Sequence, residues 1–198
     1  MTFGQYLTGL LTLTLRDPRA AMRSLHKLDL PVGLLPLGLA LVAIGAAFLL
    51  HLGLATGLLP APVDPLSQSL FAAPLVTAGI QLVALVIAVL TIRSVGAMFG
   101  GRGSLEDSAL AVIWLQVVLL VLQAAQFLSY LVLPPLAPLI GLAAIAVFFW
   151  LLTAFVAEVH GFTRPGLVFL GIIGTFLLLA LLLSIVLAMT IDPELLHV

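Results

Sequence analysis

The chain contains no cysteine, which excludes disulfides, thiolate metal sites and a cysteine nucleophile. Charge is nearly as scarce. Only 8% of the 198 residues are charged, against 63% hydrophobic, and the mean hydropathy is +1.35. A soluble domain carries about 25% charged residues, so this composition lacks the means to cover a water-facing surface. The net charge of -1 gives no indication of a nucleic-acid partner. Also missing are a GxSxG elbow, an HExxH pair, a P-loop, a GxGxxG fingerprint and any internal repeat, so none of those catalytic or nucleotide-binding devices is on offer.

What is present is a set of long apolar runs: Val32–Leu50, Leu70–Met98, Ala109–Leu133, Leu136–Ala157 and Leu167–Met189. Each reaches the roughly 20 residues needed to cross about 30 Å of hydrocarbon. The seven basic residues fall in segments that alternate with segments holding none. Arg16, Arg19, Arg23 and Lys27 precede the first run, Arg93 and Arg102 flank the break between the second and third, and Arg164 separates the fourth from the fifth. The stretches after the first, third and fifth runs carry Asp64, Asp192 and Glu194 but no Lys or Arg. Because Lys and Arg are retained on the cytoplasmic face, this predicts an all-α polytopic membrane protein. It has five transmembrane helices, a cytoplasmic N-terminus and a C-terminus outside. Residues 31–198 then form one membrane domain, preceded by an amphipathic segment, 1–30, whose basic residues follow its apolar stretch and so do not resemble a cleavable signal peptide.

Within that first segment, Phe3, Tyr6, Leu7, Leu10 and Leu11 share one side of a helix opposite Gln5, Thr8 and Thr12. It is too short to span and suits a helix lying in the membrane interface. Asp17-Pro18 reads as an N-cap with proline at the first helical position. In the helix that follows, Arg19, Arg23 and Lys27 recur every four residues, and with Arg16 they form a stripe expected to bind an anionic leaflet and set topology. Asp29 and Pro31 mark the start of the first span. Asp64-Pro65 predicts a short helix in the proline-rich connection 51–69, which contains Pro60. Pro74 predicts a kink near the start of the second span.

Polar residues inside the spans are few and grouped. In the third span Ser108, Gln116, Gln123, Gln126 and Tyr130 lie on one face, and Thr77, Gln81, Ala84, Ala88 and Thr91 form a small-and-polar face on the second. Buried glutamines need partners, so these faces are expected to meet across the short glycine turn, as interhelical glue or as a polar path for a lipid or small amphiphile. Ala180, Ser184 and Ala188 in the fifth span, with Gly171 and Thr175 upstream, permit close helix contact within the bundle or with a second subunit.

A second group, Arg93, Gly100, Gly101, Arg102, Glu106, Asp107, Glu158, His160 and Arg164, gathers at the cytoplasmic boundary. It reads as mutual salt bridging around short turns, or as a headgroup- or phosphate-binding patch built from arginines and glycine backbone amides. Ser104 followed by Glu106 and Asp107 marks a helix start, and Gly161 a helix end. Glu158 and His160 are separated by one residue, off the helical spacing of a metal pair, and only His26 is placed to join them; no metal, cofactor or catalytic set is expected.

Three stretches together resemble the Yip (Ypt-interacting protein) domain family, particularly its bacterial branch. They are Asp17-Pro18-Arg19-Ala20-Ala21, then Gly100-Gly101-Arg102-Gly103-Ser104-Leu105-Glu106-Asp107 running into Trp114-Leu115-Gln116, then Glu158-Val159-His160-Gly161-Phe162. Eukaryotic relatives bind Rab-type GTPases and generally have a substantial hydrophilic N-terminal region, which residues 1–30 do not match, so GTPase binding is not carried over. The resemblance implies a non-enzymatic protein of the bacterial inner membrane. Its expected role is to organise membrane or partner proteins as a scaffold or accessory subunit, with membrane lipids and a protein partner or second copy as its contacts. Transport or scrambling of a lipid or small amphiphile along the polar faces is the alternative.

Overall fold

The structure, a computed structural model, describes residues 2–28, 31–59 and 62–190. Asp29, Pro60, Asp192 and Glu194 lie outside these residues, as does the side chain of Ala188. Eight helices follow one another: α1 (Phe3–Arg16), α2 (Pro18–His26), α3 (Leu34–Ala55), α4 (Pro65–Leu70), α5 (Pro74–Met98), α6 (Leu105–Val132), α7 (Leu136–His160) and α8 (Pro165–Thr190). No strand occurs among the described residues. Five helices are long and apolar enough to cross a membrane: α3, α5, α6, α7 and, within α8, Pro165–Val186. All seven basic residues sit at one end of the bundle, called here the basic end.

Local chemistry sets the helix starts. The Asp17 carboxylate accepts from the Ala20 N–H at 2.9 Å, with Pro18 opening α2. Ser104 and Asp107 form a capping box that begins α6 before its apolar run does. Asp64 accepts from the Ser67 N–H at 2.7 Å and starts α4. That hydrogen bond, with one from the Ser67 hydroxyl, holds the Asp64 carboxyl below the usual carboxylate range. Pro74 occupies the first turn of α5, where a missing N–H leaves no helical bond unmade. The kink expected from sequence is therefore replaced by a helix start.

Two apolar cores share α6. At one, Leu35, Leu39, Val42 and Ala43 of α3 meet Leu85 and Val89 of α5 and Ala109 and Val112 of α6. At the other, Ala111, Trp114, Leu115 and Val118 of α6 meet Leu151, Leu152, Phe155 and Val156 of α7, and Leu10, Ala21, Met22 and Leu25 of the two N-terminal helices close over them. Segment 2–28 thus shares a core with α6 and α7. The Trp114 indole N–H donates to the Thr14 hydroxyl at 2.9 Å, both residues being buried. Trp114 lies seven residues beyond Asp107, about 10 Å further along α6. The end of α1 therefore packs against α6 at the side of the bundle.

The last helix stands apart. It leans principally on α7, through edge-to-face contacts of Phe148 with Phe176 and of Phe149 with Phe169 and Phe176. Nearly all its remaining surface faces outward, including Ala180 and Ser184.

Candidate functional site: a cradled histidine and a lateral crevice

His160, the last residue of α7, is buried at the basic end. Its Nδ1 accepts from the Gly103 N–H at 3.1 Å, and its Nε2 lies 3.0 Å from the Ile92 carbonyl. A nitrogen that accepts carries no proton, so these partners assign the proton to Nε2, which donates to Ile92. Glycine lets the surroundings close in. A Cβ on Gly96 or Gly103 would strike the imidazole ring, and one on Gly101 would come within 2.6 Å of the His160 Cβ. Phe162 covers the ring with centroids 5.5 Å apart. One side chain thereby ties the ends of α5, α6 and α7 together. The glycine turn and the Glu158–Phe162 stretch, far apart in sequence, are two halves of this one contact.

The same geometry overturns the glycine-amide anion site. The N–H groups of Gly100, Gly101 and Gly103 are already engaged, by the Ala97 and Gly96 carbonyls and by His160. Gly100 adopts φ +83°, the left-handed turn that favours glycine.

Around this staple the charged residues divide. Asp107 pairs with His26 at 2.7 Å, and Glu158 with Arg23 at 3.0 Å. Arg19 donates to the Phe162 carbonyl at 3.1 Å. Half of the basic stripe on 16–27 therefore holds α2 against the bundle, while Arg16 and Lys27 face outward. Arg93, Arg102, Glu106 and Arg164 are exposed. Among the described residues, no three His, Asp or Glu side chains gather as metal ligands.

The polar faces of the second and third spans do not meet as one seam. Thr77 is buried against α3, its hydroxyl 3.0 Å from His51 Nε2 and donating to the Ala73 carbonyl. Gln126 donates to the Ala137 carbonyl of α7 at 3.1 Å. With Gln123 and Tyr130 it lines a small cavity of about 100 Å³ against Leu49, Leu50 and Leu59, at the end opposite the basic residues. Gln81 is half-buried and has no side-chain hydrogen bond among the described residues. The reason is α3, which packs against both α5 and α6 and takes the positions that a two-helix view assigns to their mutual contact.

Of the expected seam's polar residues, Thr91 of α5 and Gln116 of α6 share a space across the two helices. They line a crevice of about 540 Å³ between α5 and α8, with α6 and α7 behind it. Its walls are otherwise mainly apolar, with Ala84, Ala88 and Val95 of α5, Leu152 of α7, and Gly171 and Leu179 of α8 representative, and Thr163 and Thr175 add two hydroxyls. Arg164 stands at its basic end, and no carboxylate lines it. Neither Thr91 nor Gln116 has a side-chain hydrogen-bond partner among the described residues. Sequence inspection missed the crevice because Gly171 and Thr175 of α8 marked a face for close contact without encoding which helix it meets.

Five apolar helices, an N-terminal helix pair docked at the basic end and a side-opening crevice define a polytopic all-α membrane protein. The family model described as the Yip1 domain matches residues 12–187, a range that includes the cradled histidine and the crevice. The chain belongs to the Yip1-domain family. No curated protein and no solved structure matches it.

Proposed function

We propose that this Yip-family protein works by binding within the membrane, as a scaffold or accessory subunit, and that the α5–α8 crevice is its binding surface for a membrane amphiphile. The observation that carries this is two unpartnered polar side chains, Thr91 and Gln116, in a large apolar crevice open to the side. In a bilayer such a space fills with acyl chain, the most abundant apolar material present, and a polar group in hydrocarbon is costly until something hydrogen-bonds it. An ester oxygen or a carried water meets that need. The crevice volume falls in the range of about 300–1,000 Å³ typical of ligand sites. Its polar residues, Thr91, Gln116, Thr163, Arg164 and Thr175, include no nucleophile paired with a base, which supports binding over catalysis.

Passage of a lipid or solute across the membrane has less support. Thr91 and Gln116 line one cavity and Gln123, Gln126 and Tyr130 a separate one, while Thr77 and Gln81 line neither. The confinement of Lys and Arg to one end supports placing that end and the N-terminus in the cytoplasm, with the C-terminus periplasmic in a bacterial inner membrane. Arg16 and Lys27, facing outward from the N-terminal helices, are then placed to touch the anionic leaflet.

The test is labelling by a phospholipid carrying a photoreactive group on its acyl chain. A Cβ at Gly171 meets nothing within 4 Å, so Gly171→Phe fills the crevice without disturbing the packing behind it. Wild-type protein should be labelled preferentially on the crevice faces of α5 and α8, and Gly171→Phe should lose that preference. Uniform labelling of all lipid-facing helices in both proteins would exclude the crevice as a binding site.

A further inference from the structure

We infer that the amphiphile held in this crevice is an anionic phospholipid, its phosphate on Arg164 and an acyl chain running along α8 towards Leu179. This rests on the binding role given to the crevice above and adds the chemical class of the ligand.

Three features select that class. The first is charge. Arg164 is exposed at the crevice mouth, makes no ion pair among the described residues, and uses only its backbone carbonyl, which accepts from the N–H groups of Leu167 and Val168. Of the acids at the same end, Asp107 is committed to His26 and Glu158 to Arg23, and Glu106, which is exposed, does not line the crevice. The guanidinium thus faces the crevice unneutralised, and a planar fork of donors matches phosphate oxygens.

The second is length. From Arg164 to Leu179 the crevice follows fifteen residues of α8, about 22 Å at 1.5 Å per residue. That exceeds the ~15 Å thickness of one leaflet's hydrocarbon, so a ligand anchored at the mouth has room for a full acyl chain. Third, the polar groups occupy the depths a phospholipid requires. Thr91 lies seven residues before the end of α5, about 10 Å below it, and two residues deeper than Arg93. It is placed to donate to an ester oxygen just under a phosphate. A free phosphate uses neither the apolar length nor Thr91, and a zwitterionic lipid brings its own cation to the arginine.

Native mass spectrometry of the full-length chain, released from detergent with phosphatidylglycerol or phosphatidylcholine, tests the assignment. The expected result is about fivefold greater retention of phosphatidylglycerol, the factor that corresponds to one basic residue near an anionic headgroup. Arg164→Gln should remove the preference while lipid is still retained, and Arg93→Gln and Arg102→Gln, at the same end but outside the crevice, should keep it. Excess inorganic phosphate should compete with neither lipid. If Arg164→Gln keeps the preference, or phosphate alone displaces the lipid, the anionic-phospholipid assignment is overturned. The crevice reading stands in that case provided Gly171→Phe still loses the adduct. Adducts that persist unchanged in Gly171→Phe overturn both. Thermal unfolding of each variant confirms that the fold is intact.

Discussion

The cradle around His160 makes a sharp energetic prediction because three neighbouring glycines serve it for different reasons. A methyl group on Gly96 would strike the imidazole ring first, at Nε2, Cε1 and Cδ2. The ring is pinned by Gly103, Ile92 and Phe162 and has no room to swing away. Gly96→Ala should therefore cost about 1–3 kcal/mol, as overpacking does. His160→Ala strands the Gly103 N–H and opens a hole, for about 2–4 kcal/mol. With the ring gone the Gly96 methyl has space, and alanine gains up to about 1 kcal/mol as the better helix former. The double variant should thus be no less stable than His160→Ala alone, a coupling of at least about 1 kcal/mol. Gly101→Ala should be rescued only in part, since its methyl meets the His160 Cβ, which alanine retains, as well as Nδ1 and Cγ, which alanine lacks. Gly100→Ala should cost about 1–2 kcal/mol in either background, because the penalty is its positive φ. Unfolding by SDS titration in mixed micelles, followed by circular dichroism, gives the four corners of each cycle. If Gly96→Ala costs the same with and without the imidazole, to within about 0.5 kcal/mol, the cradle is not the source of the strain.

Trp114→Phe and Thr14→Val should each destabilise by roughly 1–2 kcal/mol and together by little more than either alone, since they remove the two ends of one buried hydrogen bond; the same micelle titration reads it. Gln126→Leu should cost about 0.6 kcal/mol through its lost bond to the Ala137 carbonyl, whereas exposed Gln123→Leu should be neutral within about 0.5 kcal/mol. Because the chain has no cysteine, single cysteines report topology cleanly. A membrane-impermeant maleimide should modify Val63→Cys in intact cells but reach Arg102→Cys only after lysis; the reverse pattern would invert the orientation.

The spans were legible because each apolar run exceeds what a soluble core helix needs, and the observed helices differ from the runs mainly at their ends. Those differences have local causes. Ser104 and Asp107 begin α6 four residues ahead of Ala109, and Glu158 and His160 stay helical at the end of α7 because Arg23 and the glycine turn satisfy them. Asp17-Pro18 and Asp64-Pro65 announced α2 and α4 through capping chemistry that acts within four residues. What sequence could not supply was three-body packing. A helical wheel places Gln116 and Gln126 on one face of α6, yet one meets the crevice and the other α7, since different neighbours flank the helix at different depths. The crevice itself depends on α8 leaning principally on α7; Gly171 and Thr175, which line it, marked a face for close contact without encoding which helix it meets. The cradle left a fainter trace: glycines at 96, 101 and 103 are more than a turn requires, and the surplus marks where a large side chain comes close.

An experimental structure in lipid nanodiscs, with a rigid binder added for particle alignment, tests the central claim most directly. The expected result is elongated density between α5 and α8, running from the Arg164 guanidinium past Thr91 and Gln116 towards Leu179. An α8 collapsed onto α5 with the crevice closed, or a further helix lying in its place, would contradict it.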